Sequence, residues 1–215
     1  GRNMDMNERG ILIVISGFSG AGKGTLMKRL LKKYEERYAL SVSATTRQPR
    51  EGERDGIEYF FKTKEEFEKM IAKEELIEYA RYVENYYGTP RAYVEQMLEA
   101  GKDVILEIEI QGALKVKKAF PDTLLLFVVP PSAEELKHRL VGRGTESMEV
   151  IESRLKRAVE ESDGMEQYDY LIVNDDLEIC VEEMHQIICG EHHRSSRNMG
   201  FIQQMKEELK DLKGE

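Results

Sequence analysis

The residues able to do chemistry in this chain gather at four places. The first is Ser16-Gly17-Phe18-Ser19-Gly20-Ala21-Gly22-Lys23-Gly24-Thr25, where Gly17, Gly22 and Lys23 fit the G-x-x-x-x-G-K pattern of a phosphate-binding loop. Glycines there let backbone N–H groups close around phosphate oxygens, and a following helix adds partial positive charge. Lys23 would reach the outer phosphates. Gly24 departs from the pattern, which wants a hydroxyl for a metal ion, and Thr25 comes one residue late. The second place is the irregular segment 43–56, with Arg47, Arg50, Arg54, several hydroxyls and Pro49. The third is Glu107 and Glu109, which alternate with apolar residues and so fall on one face of a strand, near its C-terminal end. The fourth holds Arg139, Arg143 and Arg154, the second between Gly142 and Gly144.

The elements that must position these groups follow from periodicity. Ile11-Leu12-Ile13-Val14-Ile15 is too short for a globular helix and rich in β-branched residues, which predicts a strand buried on both faces. Leu26, Met27, Leu30, Leu31 and Tyr34 then recur at helical spacing, so the glycine loop joins a strand to a helix. Further strands are expected at 38–42, 59–61, 76–83, 85–88, 103–110, 124–129 and 170–174. Helices are expected at 64–73, 111–119, 148–162 and from Leu177 to Ile188, with one from Pro90 to Ala100 and one opening at Ala133. Buried strands alternating with helices give an α/β fold with a parallel sheet, and ligands in such sheets sit outside the strands' carboxyl ends. The tail from Arg194 is polar except for Phe201, Met205, Leu209 and Leu212, a thin helical stripe.

Composition narrows the possibilities. A net charge of −9 argues against a general nucleic-acid binder, so an anionic ligand must be met by local arginine clusters. No apolar run approaches the roughly 20 residues of a membrane span, and the first nine residues lack the apolar core of a signal peptide. Cys180 and Cys189 fall on opposite faces of one expected helix, too far apart for a disulfide, which fits a reducing cytoplasm. His138, His185, His192 and His193 lack metal-ligand spacing and are read as solvated.

Several blocks, taken in order, resemble guanylate kinase: Ser43-Ala44-Thr45-Thr46-Arg47-Gln48-Pro49-Arg50-Glu51-Gly52-Glu53, Asn85-Tyr86-Tyr87-Gly88-Thr89, Leu106-Glu107-Ile108-Glu109-Ile110-Gln111-Gly112, Arg139 to Glu146, and Val173-Asn174-Asp175. The resemblance implies ATP-dependent phosphorylation of GMP, with dGMP as a second acceptor and Mg²⁺ as the metal, in purine nucleotide metabolism. It also implies a three-layer α/β/α core (1–42, 91–138 and 164–193) around a mostly parallel sheet. A GMP-binding subdomain with a mixed sheet (43–90), a helical lid (139–163) and a C-terminal helix (194–215) would complete the chain. By resemblance, residues 17–25 and Asn174 bind ATP, and Arg47, Arg50, Tyr59 and Tyr87 grip the GMP phosphate. Glu78 and Glu109, helped by Ser43 and Thr89, face guanine. Glu107 meets Mg²⁺ through water, and Arg139, Arg143 and Arg154 join Lys23 in catalysis.

Guanine offers adjacent N1–H and N2–H₂ donors that a carboxylate can accept, and adenine has no such pair on that edge. Two alternatives remain open: a non-catalytic guanylate-kinase-like module that binds proteins, and a phosphate-loop kinase for another acceptor. The stripe in the tail leaves a homodimer open as well.

Overall fold

The computed structural model describes residues 9–142, 144 and 146–214. Arg143 therefore lies outside the described residues. The first strand, β1 (Leu12–Gly17), leads through the glycine loop into α1 (Lys23–Lys33), followed by β2 (Tyr38–Leu40), β3 (Ala44–Thr45), β4 (Phe60–Phe61), α2 (Lys64–Ala72), β5 (Leu76–Tyr82) and β6 (Asn85–Pro90). The chain continues with α3 (Arg91–Glu99), β7 (Asp103–Glu107), α4 (Ile110–Ala119), β8 (Leu124–Val129), α5 (Ala133–Val141), α6 (Met148–Ser162), β9 (Tyr170–Val173), α7 (Leu177–Glu191) and α8 (Met199–Lys213). No described helix is long and apolar enough to cross a membrane.

Two sheets result. The larger has the order β2-β7-β1-β8-β9, and each of its pairings is parallel. The middle stretches of its central strands are apolar, as expected of a sheet buried on both faces; Ile13, Val14, Ile15, Ile105, Leu126 and Val128 are fully buried. β1 lies between β7 and β8, with Ile15 opposite Glu107 and Gly17 opposite Val128. The glycine loop, the end of β7 and the end of β8 thus open onto one crevice, the place where parallel α/β sheets bind ligands. The smaller sheet has the order β4-β3-β6-β5. It is mixed, β3 running parallel to β4 and antiparallel to β6, and it closes over Ala44, Phe67 and Leu76.

Two departures from the expected elements bear on the site. Segment 43–56 is not wholly irregular, because Ala44–Thr45 pairs with both β4 and β6. The strand expected over 103–110 ends at Glu107, so Glu107 and Glu109 do not share a strand face. Glu109 is instead the N-cap of α4, accepting hydrogen bonds from the backbone N–H groups of Gln111 (2.9 Å) and Gly112 (2.8 Å). An N-capping carboxylate satisfies orphan amides at the first turn, and here that outweighs two more residues of strand.

Two of the four histidines are not solvated but structural. His192 Nε2 lies 2.9 Å from both carboxylate oxygens of Asp103, a side chain 1% exposed, which also accepts the Ile11 N–H at 2.8 Å. His185 stacks on Tyr34 at 3.7 Å and sits 2.8 Å from the Tyr38 hydroxyl. Cys180 and Cys189 are free thiols, as expected. Helix α8 buries none of its residues, leaving Leu209 and Leu212 exposed.

Candidate functional site

The glycine loop is shaped by backbone demands. Gly20 and Gly22 have φ of +84° and +82°, a region L side chains rarely adopt. A Cβ on Gly17 would stand 2.6 Å from the Val128 carbonyl oxygen, so only glycine fits between β1 and β8. Phe18 turns inward, edge-on to Phe127 at 5.3 Å, leaving its backbone to the loop. Helix α1 starts at Lys23 with Gly22 as N-cap and no side-chain cap, whereas Thr63, Ser132, Ser147 and Asp176 cap α2, α5, α6 and α7. Its first intrahelical bond runs from Leu26 N–H to Gly22 O. The N–H groups of Lys23, Gly24 and Thr25 precede that bond and point outward, ready for an anion. Lys23 Nζ stands 3.7 Å from a Glu107 carboxylate oxygen, both partly exposed in the crevice.

Asn174 is buried and donates its amide to the Ala21 carbonyl at 2.8 Å. Its own carbonyl accepts from Arg139 Nη2 at 3.2 Å. Asn174 thereby ties the loop to β9 and to α5, a clamp that its place in the sequence does not announce. Arg139 also donates Nε to Glu135 at 3.0 Å. Arg154 donates Nη1 to the Leu140 carbonyl at 2.8 Å and Nη2 to Glu146 at 2.7 Å. The Arg154 guanidinium thus stays within the α5–α6 unit, whereas that of Arg139 bridges Glu135 to Asn174 of the core, and each has a carboxylate partner. A cavity of about 320 Å³ is lined by Ser16, Gly17, Glu109, Gln111 and Phe127 of the crevice and by Arg157 of α6, among others.

On the smaller sheet, Arg47, Tyr59 and Tyr87 form a connected group. The Arg47 guanidinium lies 5.1 Å over the Tyr59 ring, and the Tyr59 and Tyr87 rings are 6.2 Å apart. Glu53 holds Arg47 with two parallel bonds, Nη1–Oε1 of 2.9 Å and Nη2–Oε2 of 3.0 Å. The guanidinium and the Arg50 N–H hold the Glu53 carboxyl down at about 2. In the sequence Glu53 stands out only as part of a block; its position three residues after Arg50 is the available signal. The Arg50 side chain is exposed beside this group.

The carboxylates expected to face guanine do converge. Glu78 on β5 accepts from the hydroxyl of fully buried Thr89 on β6 at 2.8 Å. A Cβ built on Gly112 would lie 3.4 Å from Glu109 Oε1 and 3.5 Å from Glu78 Oε2, so the two carboxylates flank the bare first turn of α4. Burial raises the Glu78 carboxyl above its ordinary value, while Thr89 and Lys115 oppose the shift and Glu109 adds to it. Ser43 is half-buried just before β3, its carbonyl accepting the Phe60 N–H.

Among the described residues, no group of three His, Cys, Asp or Glu side chains could hold a metal by protein ligands alone. The lone Glu107 carboxylate beside Lys23 suits Mg²⁺, which keeps much of its water and takes its other ligands from phosphates. Another cavity, of about 370 Å³, lies around Arg9, Phe120 and Arg197, with none of these site residues in its lining.

A parallel sheet with a phosphate loop at its switch point, facing a second sheet with an arginine–tyrosine group and paired carboxylates, defines a phosphate-loop kinase with a separate acceptor site. Comparison with known proteins narrows this. The guanylate kinase family model matches residues 9–191. The guanylate kinase of Bacillus anthracis is 54% identical over 203 residues, covering 94% of this chain and 99% of that protein. That of Bacillus subtilis (strain 168) is 52% identical over 192 residues, covering 89% and 94%. The crystal structure of guanylate kinase from Anaplasma phagocytophilum superposes with a TM-score of 0.73 at 31% identity, covering 95% of this chain and 97% of that one. The chain belongs to the guanylate kinase family.

Proposed function

We propose that this protein transfers the terminal phosphoryl group of ATP to the phosphate of GMP, and of dGMP, in the cytoplasm as part of purine nucleotide metabolism. The observation that carries the reading is the pairing of two sites in one chain. The uncapped start of α1, with Lys23 and Glu107, suits a triphosphate. The Glu78–Glu109 pair beside Gly112 suits the N1–H and N2–H₂ edge of guanine.

The residues divide the work as follows. Backbone N–H groups of 17–25 and the Lys23 ammonium cradle the donor phosphates. Arg47 and Arg50, with Tyr59 and Tyr87, hold the acceptor phosphate, where a guanidinium edge gives paired, charge-assisted bonds. Glu78, kept in place by Thr89, and Glu109 accept from guanine; a site built on such bonds rejects adenine because its carboxylates would stay unpaired. Ser43 and Thr89 complete that pocket. Glu107 would hold Mg²⁺ through water, and the ion would supply positive charge to the donor phosphates. Arg139, Arg143 and Arg154 approach when the 139–163 segment closes over the 43–90 subdomain, adding charge on the transferring group and excluding water. No general base is required, since the attacking phosphate oxygen is already ionised at neutral pH. A binding module without catalysis would have no use for the Lys23–Glu107 pair, which is intact.

The C-terminal part of α8 extends the proposal to a homodimer: Met205, Leu209 and Leu212 continue the 3-4-3 spacing begun by half-buried Ile202 and are exposed. Sedimentation of the wild type and of Leu209→Glu tests this; identical monomers would refute it.

The catalytic reading is tested by ADP release with GMP, dGMP, AMP, UMP and no acceptor. Turnover with the guanine nucleotides alone is expected. Equal turnover with AMP would overturn the guanine assignment, and no turnover with any acceptor would overturn the kinase.

A further inference from the structure

We infer that Glu53 is a positioning residue for the acceptor phosphate, acting by fixing which edge of Arg47 faces the ligand. The inference rests on the proposed GMP site. Segment 47–53 turns back on itself: Pro49 sets the backbone, and the Glu53 N–H closes the turn onto the Arg50 carbonyl at 3.0 Å. The Glu53 side chain then reaches across the turn. Oε1 accepts both from Arg47 Nη1 and from the Arg50 backbone N–H (2.7 Å), and Oε2 accepts from Arg47 Nη2. One carboxylate thus holds the side chain of the first arginine and the backbone of the second.

The geometry decides what remains for a ligand. An arginine has five N–H donors in a rigid plane. Nη1 spends its two on Glu53 and on the Gln48 carbonyl at 3.0 Å, and Nη2 spends one on Glu53. The edge formed by Nε and the second Nη2 hydrogen is used by neither. Tyr59, whose ring the guanidinium covers, is the other side chain that interacts with Arg47 and shares the acceptor-phosphate site with it. That edge is itself a two-donor fork and matches two oxygens of a phosphate.

The carboxylate sets a cost as well, since it stands near an incoming dianion. It is justified only if orientation outweighs charge, and the cluster is arranged for orientation. Both side chains are mostly shielded, 14% and 18% exposed. The Arg47 N–H is bonded to Thr45 Oγ1 at 3.1 Å. None of the residues 47–53 belongs to either buried cluster, so Glu53 holds up an arginine, not the core.

The test uses the full chain and five measurements: kcat, KM for GMP, KM for ATP, and binding of GMP and of guanosine. Glu53→Gln keeps the size but turns an amide N–H toward the fork and loses the charge. Freeing a long side chain costs about 0.5–1.5 kcal/mol in binding, on the order of a threefold to tenfold change. We expect KM for GMP to rise by about that factor or more, with kcat and the KM for ATP within about twofold. GMP binding should weaken while guanosine binding, which needs no phosphate grip, stays as in the wild type. Glu53→Ala, which removes the carboxylate without adding a donor, should behave alike and serves if the glutamine variant does not fold. An unchanged KM for GMP, or equal weakening toward GMP and guanosine, would overturn the role of Glu53. If the wild type itself binds guanosine as tightly as GMP, it is the phosphate-site reading that fails, and Glu53 with it.

Discussion

Thr89→Val isolates the bond on which the guanine pocket depends. Valine has nearly the shape of threonine, so the fully buried site is not opened; what is lost is the hydroxyl that donates to Glu78 at 2.8 Å. A hydrogen bond to a charged group contributes about 1.5–3 kcal/mol, and Glu78 is half-buried, which favours the lower end. A loss of about 1.5 kcal/mol in a chain of this size lowers Tm by about 3–6 °C.

The sign with pH follows from the raised carboxyl. Burial already shifts Glu78 above its ordinary 4.5, and Thr89 opposes that shift. Removing the hydroxyl lets the folded-state value climb further, so the penalty falls on the ionised form. It is full near neutral pH and shrinks as pH falls through the folded value. Urea melts near neutral pH and at about pH 5, together with KM for GMP, provide the assay. We expect the deficit to be smaller at the lower pH and KM to rise about tenfold, the equivalent of 1.4 kcal/mol. A deficit equal at both pH values, or an unchanged KM, would refute the coupling between Thr89, Glu78 and the base.

Other substitutions probe separate parts. Lys23→Met should lower kcat by about 10²–10³, as loss of a charge-stabilising donor does, with GMP binding measured calorimetrically within about twofold. Gly22→Ala forces a side chain into φ +82° and brings a methyl within 2.7 Å of Asn174 Nδ2; ATP affinity should fall more than GMP affinity in the same calorimetric titrations. Val83 sits in the two-residue turn between Tyr82 and Asn85 with φ +58°, 80% exposed. A β-branched residue is strained there, so Val83→Asn should raise Tm by about 2–4 °C, the equivalent of 1 kcal/mol.

Local patterns carry much of this fold. Leu124–Val129 and Met148–Ser162 end where apolar runs and charge periodicity end, and Gly17, Gly22 and Lys23 announce the loop by spacing alone. Glu109 escapes such reading because alternation continues through Glu107-Ile108-Glu109-Ile110, and nothing in that period says that a carboxylate will turn to cap α4. The histidines escape it for another reason. His192 finds Asp103 across 89 residues, a meeting made where the C-cap of α7 reaches the first residue of β7. Asn174 likewise meets Ala21 across 153 residues. Glu53 is in plain view in its block, yet only the fold of the turn reveals that it grips Arg47 rather than solvent.

The most direct measurement of the central claim is a single competition. The protein is mixed with ATP labelled on its terminal phosphate and with equal amounts of GMP, AMP and UMP, and the products are separated. The account predicts that label leaves ATP for GDP, with ADP from AMP and UDP from UMP remaining near background. Label distributed among the three diphosphates, or appearing as free phosphate, would contradict it.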